Sequence, residues 1–358
     1  MVIGERELAA VLVAFIVAAA LTPAIRNLAL SWDRVDEPNH RSTHSAPVPR
    51  LGGSAIVFAT VIGVGVGMGH FEGWMLGIGI GAILVAVTGT LDDLKHLGPF
   101  QKFLPQVGAA LLAVILLEPR ILVDLPFGSI TLSTQLSAAV AVLWIVSVIN
   151  AFNFIDGLDG LAAGVGLVVA LVLASLLSGS VPLLLPFAAA LGGFLMWNTA
   201  PASIFMGDGG SQFIGYLLAS AVLMPSPDDT GAVPVLFAFV PVLCDAIVTI
   251  GRRLLAGSSP FSADRNHVFH GFVDTGVSHR AVAIAYTGLT AFSGLAGLAY
   301  FHANSLGKLG LLLIMVIVCG SAVIKFSRHA RPLWRPRAFM RPNPVVQSTG
   351  AWSRSSHG

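Results

Sequence analysis

The chain has 358 residues, 55% of them hydrophobic and 11% charged, with a formal net charge of +2. Soluble domains carry about a quarter charged residues, so this composition excludes a water-soluble globular protein and gives no reason to expect a nucleic-acid partner. The two cysteines, Cys244 and Cys319, both lie in apolar runs, which supports neither a disulfide framework nor a thiolate metal site.

A hydrocarbon core about 30 Å thick takes roughly 20 apolar residues per helix. Eleven segments qualify: 8–28, 52–69, 74–91, 103–118, 135–150, 158–178, 182–198, 209–224, 232–250, 281–301 and 307–326. The first follows Glu5, Arg6 and Glu7 without a basic start or a cleavage site, and reads as a retained span, not a signal peptide. Several segments are rich in glycine, which suits close helix packing in lipid. Between the fourth and fifth, residues 121–133 alternate apolar and polar around Pro126-Phe127-Gly128 and predict a small β-hairpin.

Strict alternation of the spans places 30–51, 92–102, 151–157, 199–208, 251–280 and the segment from 327 on one side of the membrane. With helix ends assigned to the nearer side, that side holds 17 of the 20 lysines and arginines. By the positive-inside rule it is cytoplasmic, so the N-terminus lies outside, the C-terminus inside and the hairpin on the outer surface. The expected fold is an all-α polytopic membrane protein of about eleven transmembrane helices over residues 1–326, in a bacterial inner membrane. A basic, disordered cytoplasmic tail would follow at 327–358.

The unusual polar residues crowd into five of the cytoplasmic connections. The first, DEPNHRSTHSAPVPRLGG (36–53), sets His44 and Arg50 among prolines and ends in two glycines at a helix start. Prolines stiffen a loop and glycines let backbone approach a ligand; an ordinary positive-inside loop is the plain alternative. In the second (91–106), the adjacent carboxylates of Asp92 and Asp93 call for a cation if both are to stay ionised, with Lys95 just behind and Lys102 on the next helix. The third, NAFNFIDGLDGLAAG (150–164), repeats Asn150, Asn153, Asp156 and Asp159 at every third residue. If helical, these form one polar stripe, which belongs in a wet cavity or against a ligand and not in lipid.

In the fourth, FMGDGGSQFIG (205–215), glycines bracket Asp208 at a helix start, where a carboxylate suits a metal and free N–H groups suit phosphate oxygens. A simple helix-capping aspartate is the alternative. The fifth (241–280) brings Asp245, Arg252 and Arg253 on one helix, then His267 and His270 in a loop. Arginines suit phosphate binding. Together the acids suit a divalent ion and the cations suit phosphates, which is the equipment for phosphoryl transfer on a metal-bridged diphosphate.

At these residues the chain resembles the polyprenyl-phosphate N-acetylhexosamine-1-phosphate transferase superfamily, also called the glycosyltransferase 4 family, over residues 8–326 and in matching motif order. Its first loop is similar to the sugar-transferase branch, D-x-P-x-x-R-x-x-H-x-x-P-x-P-R-x-G-G, and unlike that of the peptidoglycan translocase. The resemblance implies that Asp92 and Asp93 match the Asp-Asp motif for metal binding and activation of the lipid phosphate. It also implies that Asp208 matches the magnesium-ligand aspartate, and that Asn150, Asn153, Asp156 and Asp159 match the motif linked to nucleotide binding and catalysis. His267 and His270 match the first and last histidines of H-x-H-H, but Phe269 stands where the second would be; that departure bears on which sugar is used.

The implied reaction carries a sugar 1-phosphate from a UDP-sugar to polyprenyl phosphate and releases UMP. It would depend on Mg²⁺, with Mn²⁺ able to substitute, and would start a cell-envelope polysaccharide; a homodimer is compatible with the family. His44, Arg50, Lys95, Lys102, Arg252 and Arg253 would face the substrates. The rival reading is a transporter or flippase of a lipid-linked sugar or anion. That would place ionisable groups near the bilayer midplane, often in paired repeats, whereas here only Asp245 lies deep and no internal repeat is present.

Overall fold

A computed structural model describes residues 4–32, 35–36, 47–68, 73–225, 230–255, 257 and 268–329. In chain order the elements are α1 (Glu5–Ser31), β1 (Val35–Asp36), β2 (Val48–Pro49), α2 (Gly53–Met68), α3 (Gly73–Lys95), α4 (Pro99–Leu117), β3 (Leu122–Leu125), β4 (Gly128–Thr131), α5 (Thr134–Ile155), α6 (Leu161–Leu176), α7 (Val181–Asn198), α8 (Gly207–Ala221), α9 (Ala232–Leu255), α10 (Val268–Asp274), α11 (His279–His302) and α12 (Ser305–His329). Each of the eleven apolar segments is a helix, and α10 is a short addition in the connection before α11. Seven helices are long and apolar enough to cross a membrane, and three more (α2, α6 and the apolar stretch of α12) are apolar but shorter. The chain is a polytopic membrane protein.

The chain writes its own helix ends. Pro99 occupies the first turn of α4, where its missing N–H costs nothing. Ser133 and Ser278 accept hydrogen bonds from Leu136 N–H and Ala281 N–H and cap α5 and α11. The predicted hairpin forms as β3 against β4, in the register Leu122↔Thr131 to Leu125↔Gly128, with Pro126 and Phe127 at the turn. The β1–β2 pair, Val35↔Pro49 and Asp36↔Val48, is two residues long and leaves no periodic trace. The final helix runs through His329, so the first residues of the expected tail are helical; the rest of it lies outside the described residues.

Helix packing relies on small residues, as it must where lipid tails are as apolar as leucine. On α1 the buried positions Ala10, Ala14, Ala18 and Thr22 recur every four residues. They present a flat strip to α2 and α7, and a Cβ at Gly193 of α7 would stand 2.5 Å from the Phe15 carbonyl oxygen. At the centre lies α8, in which every residue except Asp208 is buried, with α3 and α5 packed along it. An all-buried helix needs no polar face. Because the helices alternate in direction, the C-termini of α3, α5, α7 and α9 and the N-termini of α2, α4, α6 and α8 gather at one end of the bundle. The hairpin sits at the other.

Candidate active site

The start of α8 is pinned from two sides. Gly52 N–H donates to the Phe205 carbonyl at 2.9 Å and Gly53 N–H to that of Met206 at 2.8 Å, while Phe205 N–H donates to the Pro49 carbonyl at 2.8 Å. The end of the first loop and the segment before α8 are thus laced together backbone to backbone. Gly207 then opens α8 at φ +73°, where a Cβ would stand 2.5 Å from Asp93 Oδ2, so neither conformation nor space admits a side chain. Opposite, a Cβ on Gly89 of α3 would meet the Asp208 backbone at 2.5 Å. Its absence lets α3 lie against α8 and delivers Asp93 to the helix N-terminus. There Asp208 N–H donates to Asp93 Oδ1 at 3.0 Å and Gly209 N–H to Oδ2 at 3.2 Å. Both carboxylate oxygens meet the positive end of the α8 dipole.

Asp92, one residue back, faces the other way. Its Oδ1 accepts from Leu97 N–H at 2.6 Å and its Oδ2 from the Lys102 ammonium of α4 at 2.5 Å. Lys102 also donates to Asp208 Oδ2 at 3.1 Å, and the carboxylates of Asp92 and Asp208 lie within hydrogen-bonding reach of each other. Two carboxylates this close require a shared proton or a cation, and Lys102 supplies one. From α5, Asn153 Nδ2 donates to Asp208 Oδ2 at 3.5 Å while its Oδ1 accepts from Ser211 Oγ at 3.0 Å. Four helices therefore meet at one carboxylate.

One turn deeper an amide chain ties the same helices: Asn150 donates to Gln106 Oε1 at 2.8 Å and Gln106 donates to Gln212 Oε1 at 3.1 Å. The stripe read from the third motif is only half helical. Asn150 and Asn153 lie on α5, but Asp156 is its C-terminal cap, and Asp159 sits in the turn that follows. Asp159 Oδ2 accepts from Ala202 N–H at 2.9 Å, joining that turn to the segment leading into α8. Asn198 supports the junction, accepting from Gly160 N–H at 3.1 Å and donating to the Ile204 carbonyl at 2.9 Å. Burial, and next the negative charge of Asp208, push the Asp156 carboxyl well above the usual carboxylate range, with the Arg50 cation pulling it down. Arg50, from the first loop, is thus electrostatically coupled to this pocket. At the end of α9, Arg253 is buried with its guanidinium 5.1 Å from the Phe154 ring centroid, next to Asn153, and Arg252 lies beside it.

The structure brings together Asp92, Asp93, Lys102, Asn153, Asp156 and Asp208, with Asn150 and Asp159 in the supporting layer and Arg50 and Arg253 beside them; Arg252 shares a helix with Arg253. Lys95 is exposed at the end of α3 and makes no contact with the cluster among the described residues. His44 and His267 lie outside the described residues, and His270 falls on α10. Phe269, which replaces a histidine of the family pattern, is fully buried and is part of the bundle core. Sequence reasoning missed Ser211 and Gln212. Their spacing of three and four from Asp208 puts them on its helical face, which was the available signal. Among the described residues no three acidic, histidine or cysteine side chains converge to cage a metal unaided.

Comparison with known proteins adds to this geometry. A family model described as glycosyl transferase family 4 matches residues 75–226. The chain is 35% identical over 303 residues to a probable undecaprenyl-phosphate N-acetylglucosaminyl 1-phosphate transferase of Bacillus subtilis, covering 79% of this chain and 83% of the relative. It is 33% identical over 362 residues to a decaprenyl-phosphate N-acetylglucosaminephosphotransferase of Mycobacterium tuberculosis, covering 89% of each. With an undecaprenyl-phosphate alpha-N-acetylglucosaminyl 1-phosphate transferase of Yersinia pestis it shares 29% identity over 349 residues, covering 91% of this chain and 94% of the relative.

Proposed function

The chain belongs to glycosyl transferase family 4, and we propose that it transfers N-acetylhexosamine 1-phosphate from a UDP-sugar to a polyprenyl phosphate such as undecaprenyl phosphate. An oxygen of the lipid phosphate attacks the sugar-bearing phosphorus; the bond from that phosphorus to the UMP oxygen breaks, and UMP leaves. The observation that carries this reading is the meeting of Asp92, Lys102, Asn153 and Asp208, from four different helices, at one end of a membrane bundle. Span alternation in the sequence assigns 17 of the 20 lysines and arginines to the side that carries these motifs, which supports a cytoplasmic active site in a bacterial inner membrane.

Attack of one anion on another is slow unless charge is neutralised where it develops. Lys102 brings a cation into the acidic cluster, and Arg50 and Arg253 add positive charge beside it. Asp156, whose raised proton affinity makes it a stronger base than a free aspartate, is suited to take the proton of the acceptor phosphate. Asp93 and the Gly52–Phe205 lacing keep the first turn of α8 in place while this occurs. Asn153 orients Asp208.

The donor set fits a magnesium ion. It is all oxygen, and its two facing carboxylates, Asp92 and Asp208, already share one cationic group. Mg²⁺ commonly takes only one or two carboxylates and fills its remaining positions with water and substrate phosphates, so a three-carboxylate cage is not required. Asp208 with Asp92 would hold the ion, while Asp93 is committed to the backbone of α8. Bound there, the ion would supply charge neutralisation to the diphosphate.

Purified protein supplied with undecaprenyl phosphate, Mg²⁺ and a panel of UDP-N-acetylhexosamines should release UMP with at least one donor. Asp208→Asn should abolish that release at unchanged expression. UMP release at a near-normal rate from Asp208→Asn would remove Asp208 from the mechanism, and no release from any donor would sink the reading.

A further inference from the structure

The hairpin end of the bundle, remote from the carboxylates, contains a cavity of about 510 Å³ between the end of α4, strand β3, α5 and the start of α9. Its size lies within the range of small-ligand sites. The walls are apolar, with Val140 and Trp144 of α5 facing Leu236 of α9, and Val140 and Leu236 are also exposed on the lipid side of the bundle. Two opposite charges, Glu118 and Arg120, stand at its edge. Neither forms an ion pair or a side-chain hydrogen bond among the described residues, whereas the nearby Lys308 is engaged by Asp124 at 2.7 Å. Glu118 also sits at φ 46°, in the left-handed region that ends α4. Glycine is the usual residue there because a side chain costs about 1–2 kcal/mol. A glutamate held at that cost, with no protein partner, is a group placed for something outside the chain.

We propose that this cavity binds an aminophospholipid of the phosphatidylethanolamine class, with one acyl chain between α5 and α9, its phosphate on Arg120 and its primary ammonium on Glu118. An acyl chain gains little by leaving other chains for leucine and valine walls, so the cavity alone selects no lipid. Selection rests on the mouth. An anionic headgroup would satisfy Arg120 but set a negative charge against Glu118. A choline headgroup carries the right charge but offers no N–H to the carboxylate. Only a headgroup with phosphate and primary ammonium matches both side chains. The site is independent of the transfer reaction and shares no residue with it.

Native mass spectrometry of the full chain, released from detergent carrying phosphatidylethanolamine, phosphatidylcholine or phosphatidylglycerol, tests this. The ethanolamine lipid should bind about five-fold more tightly than either other lipid, the scale of one partly exposed ionic contact. Glu118→Gln should erase that preference and improve retention of phosphatidylglycerol; Arg120→Gln should weaken all three lipids. Ethanolamine lipid with brominated chains should quench Trp144, and Trp144→Phe should lose that share of the quenching while the other five tryptophans keep theirs. Should Glu118→Gln fail to fold, the wild-type ranking and the quenching still decide. Equal retention of the three lipids, or a preference unchanged in Glu118→Gln, overturns the proposal. So does displacement of the ethanolamine lipid by undecaprenyl phosphate, which would assign the cavity to the acceptor.

Discussion

Asp93 separates two roles that a pair of adjacent aspartates leaves merged. The structure gives it to the backbone: two charge-assisted hydrogen bonds, at 3.0 and 3.2 Å, hold the N-terminus of α8. Bonds of this kind contribute about 1.5–3 kcal/mol each when buried, and loss of a helix cap costs about 0.5–2 kcal/mol. Asp93 is half-buried, so the lower ends apply, and Asp93→Ala should cost about 2–3 kcal/mol. Asp93→Asn keeps one acceptor oxygen and should cost about 1 kcal/mol. At about 2 °C per kcal/mol for a chain this large, the midpoints should fall by about 4–6 °C and about 2 °C. The assay is intrinsic-fluorescence melting in detergent at a fixed scan rate, which irreversible unfolding requires, alongside UMP release. Both readouts should rank wild type above Asn above Ala, with Asn retaining measurable transfer. If both variants melt like wild type yet release no UMP, the carboxylate acts on the reactants and the anchoring argument fails.

Lys102→Met should lower kcat for UMP release by at least about 100-fold, the usual loss when one preorganised electrostatic partner is removed, and Lys102→Arg should recover part of it; a Met variant within ten-fold of wild type would exclude the role. Asp156 has a folded pKa raised above its unfolded value, so the native state binds more protons. Its contribution to stability should therefore fall as pH rises from about 4 towards the raised value. Melting curves of Asp156→Asn against wild type across that range should show the variant gaining relative stability with pH, and a pH-independent difference would contradict the raised pKa. Phe269→His places a polar ring in a fully buried position and should cost about 1–3 kcal/mol, read as a lowered melting midpoint; an unchanged midpoint would mean that position 269 tolerates the histidine of the family pattern.

The spans were readable because a bilayer tolerates few alternatives to an apolar helix, so all eleven segments emerge as helices with ends shifted by a few residues. The hairpin was equally plain, since Pro126 and Phe127 interrupt an alternating run. The site was legible as a collection of charges but not as a geometry. Adjacency of Asp92 and Asp93 cannot reveal that one faces Lys102 and the other the backbone of α8, because that division depends on how α3 rotates against α8 at Gly89. The period-three stripe predicted a helical face through Asp159, yet α5 stops at Ile155; Gly157 and Gly160 favour a turn. Gln106 shares a helix face with Lys102 in the sequence, but Ser211 and Gln212 carry no charge, and their part appears only once their partners are seen. Lys95 looked as well placed as Lys102 in the chain, and only the return of α4 towards α3 distinguishes them.

The burial of α8 bears on how the protein is built. Its 15 residues rise about 22 Å, short of a hydrocarbon core. Asp208, Ser211 and Gln212 find their partners on α3, α4 and α5. Released alone into lipid, such a segment would have to strand those groups. The helices that supply those partners, α3, α4 and α5, all precede it in the chain. Protein, not bilayer, surrounds α8. The polar cluster at the end of the bundle is therefore whole only with this one inner helix in its seat.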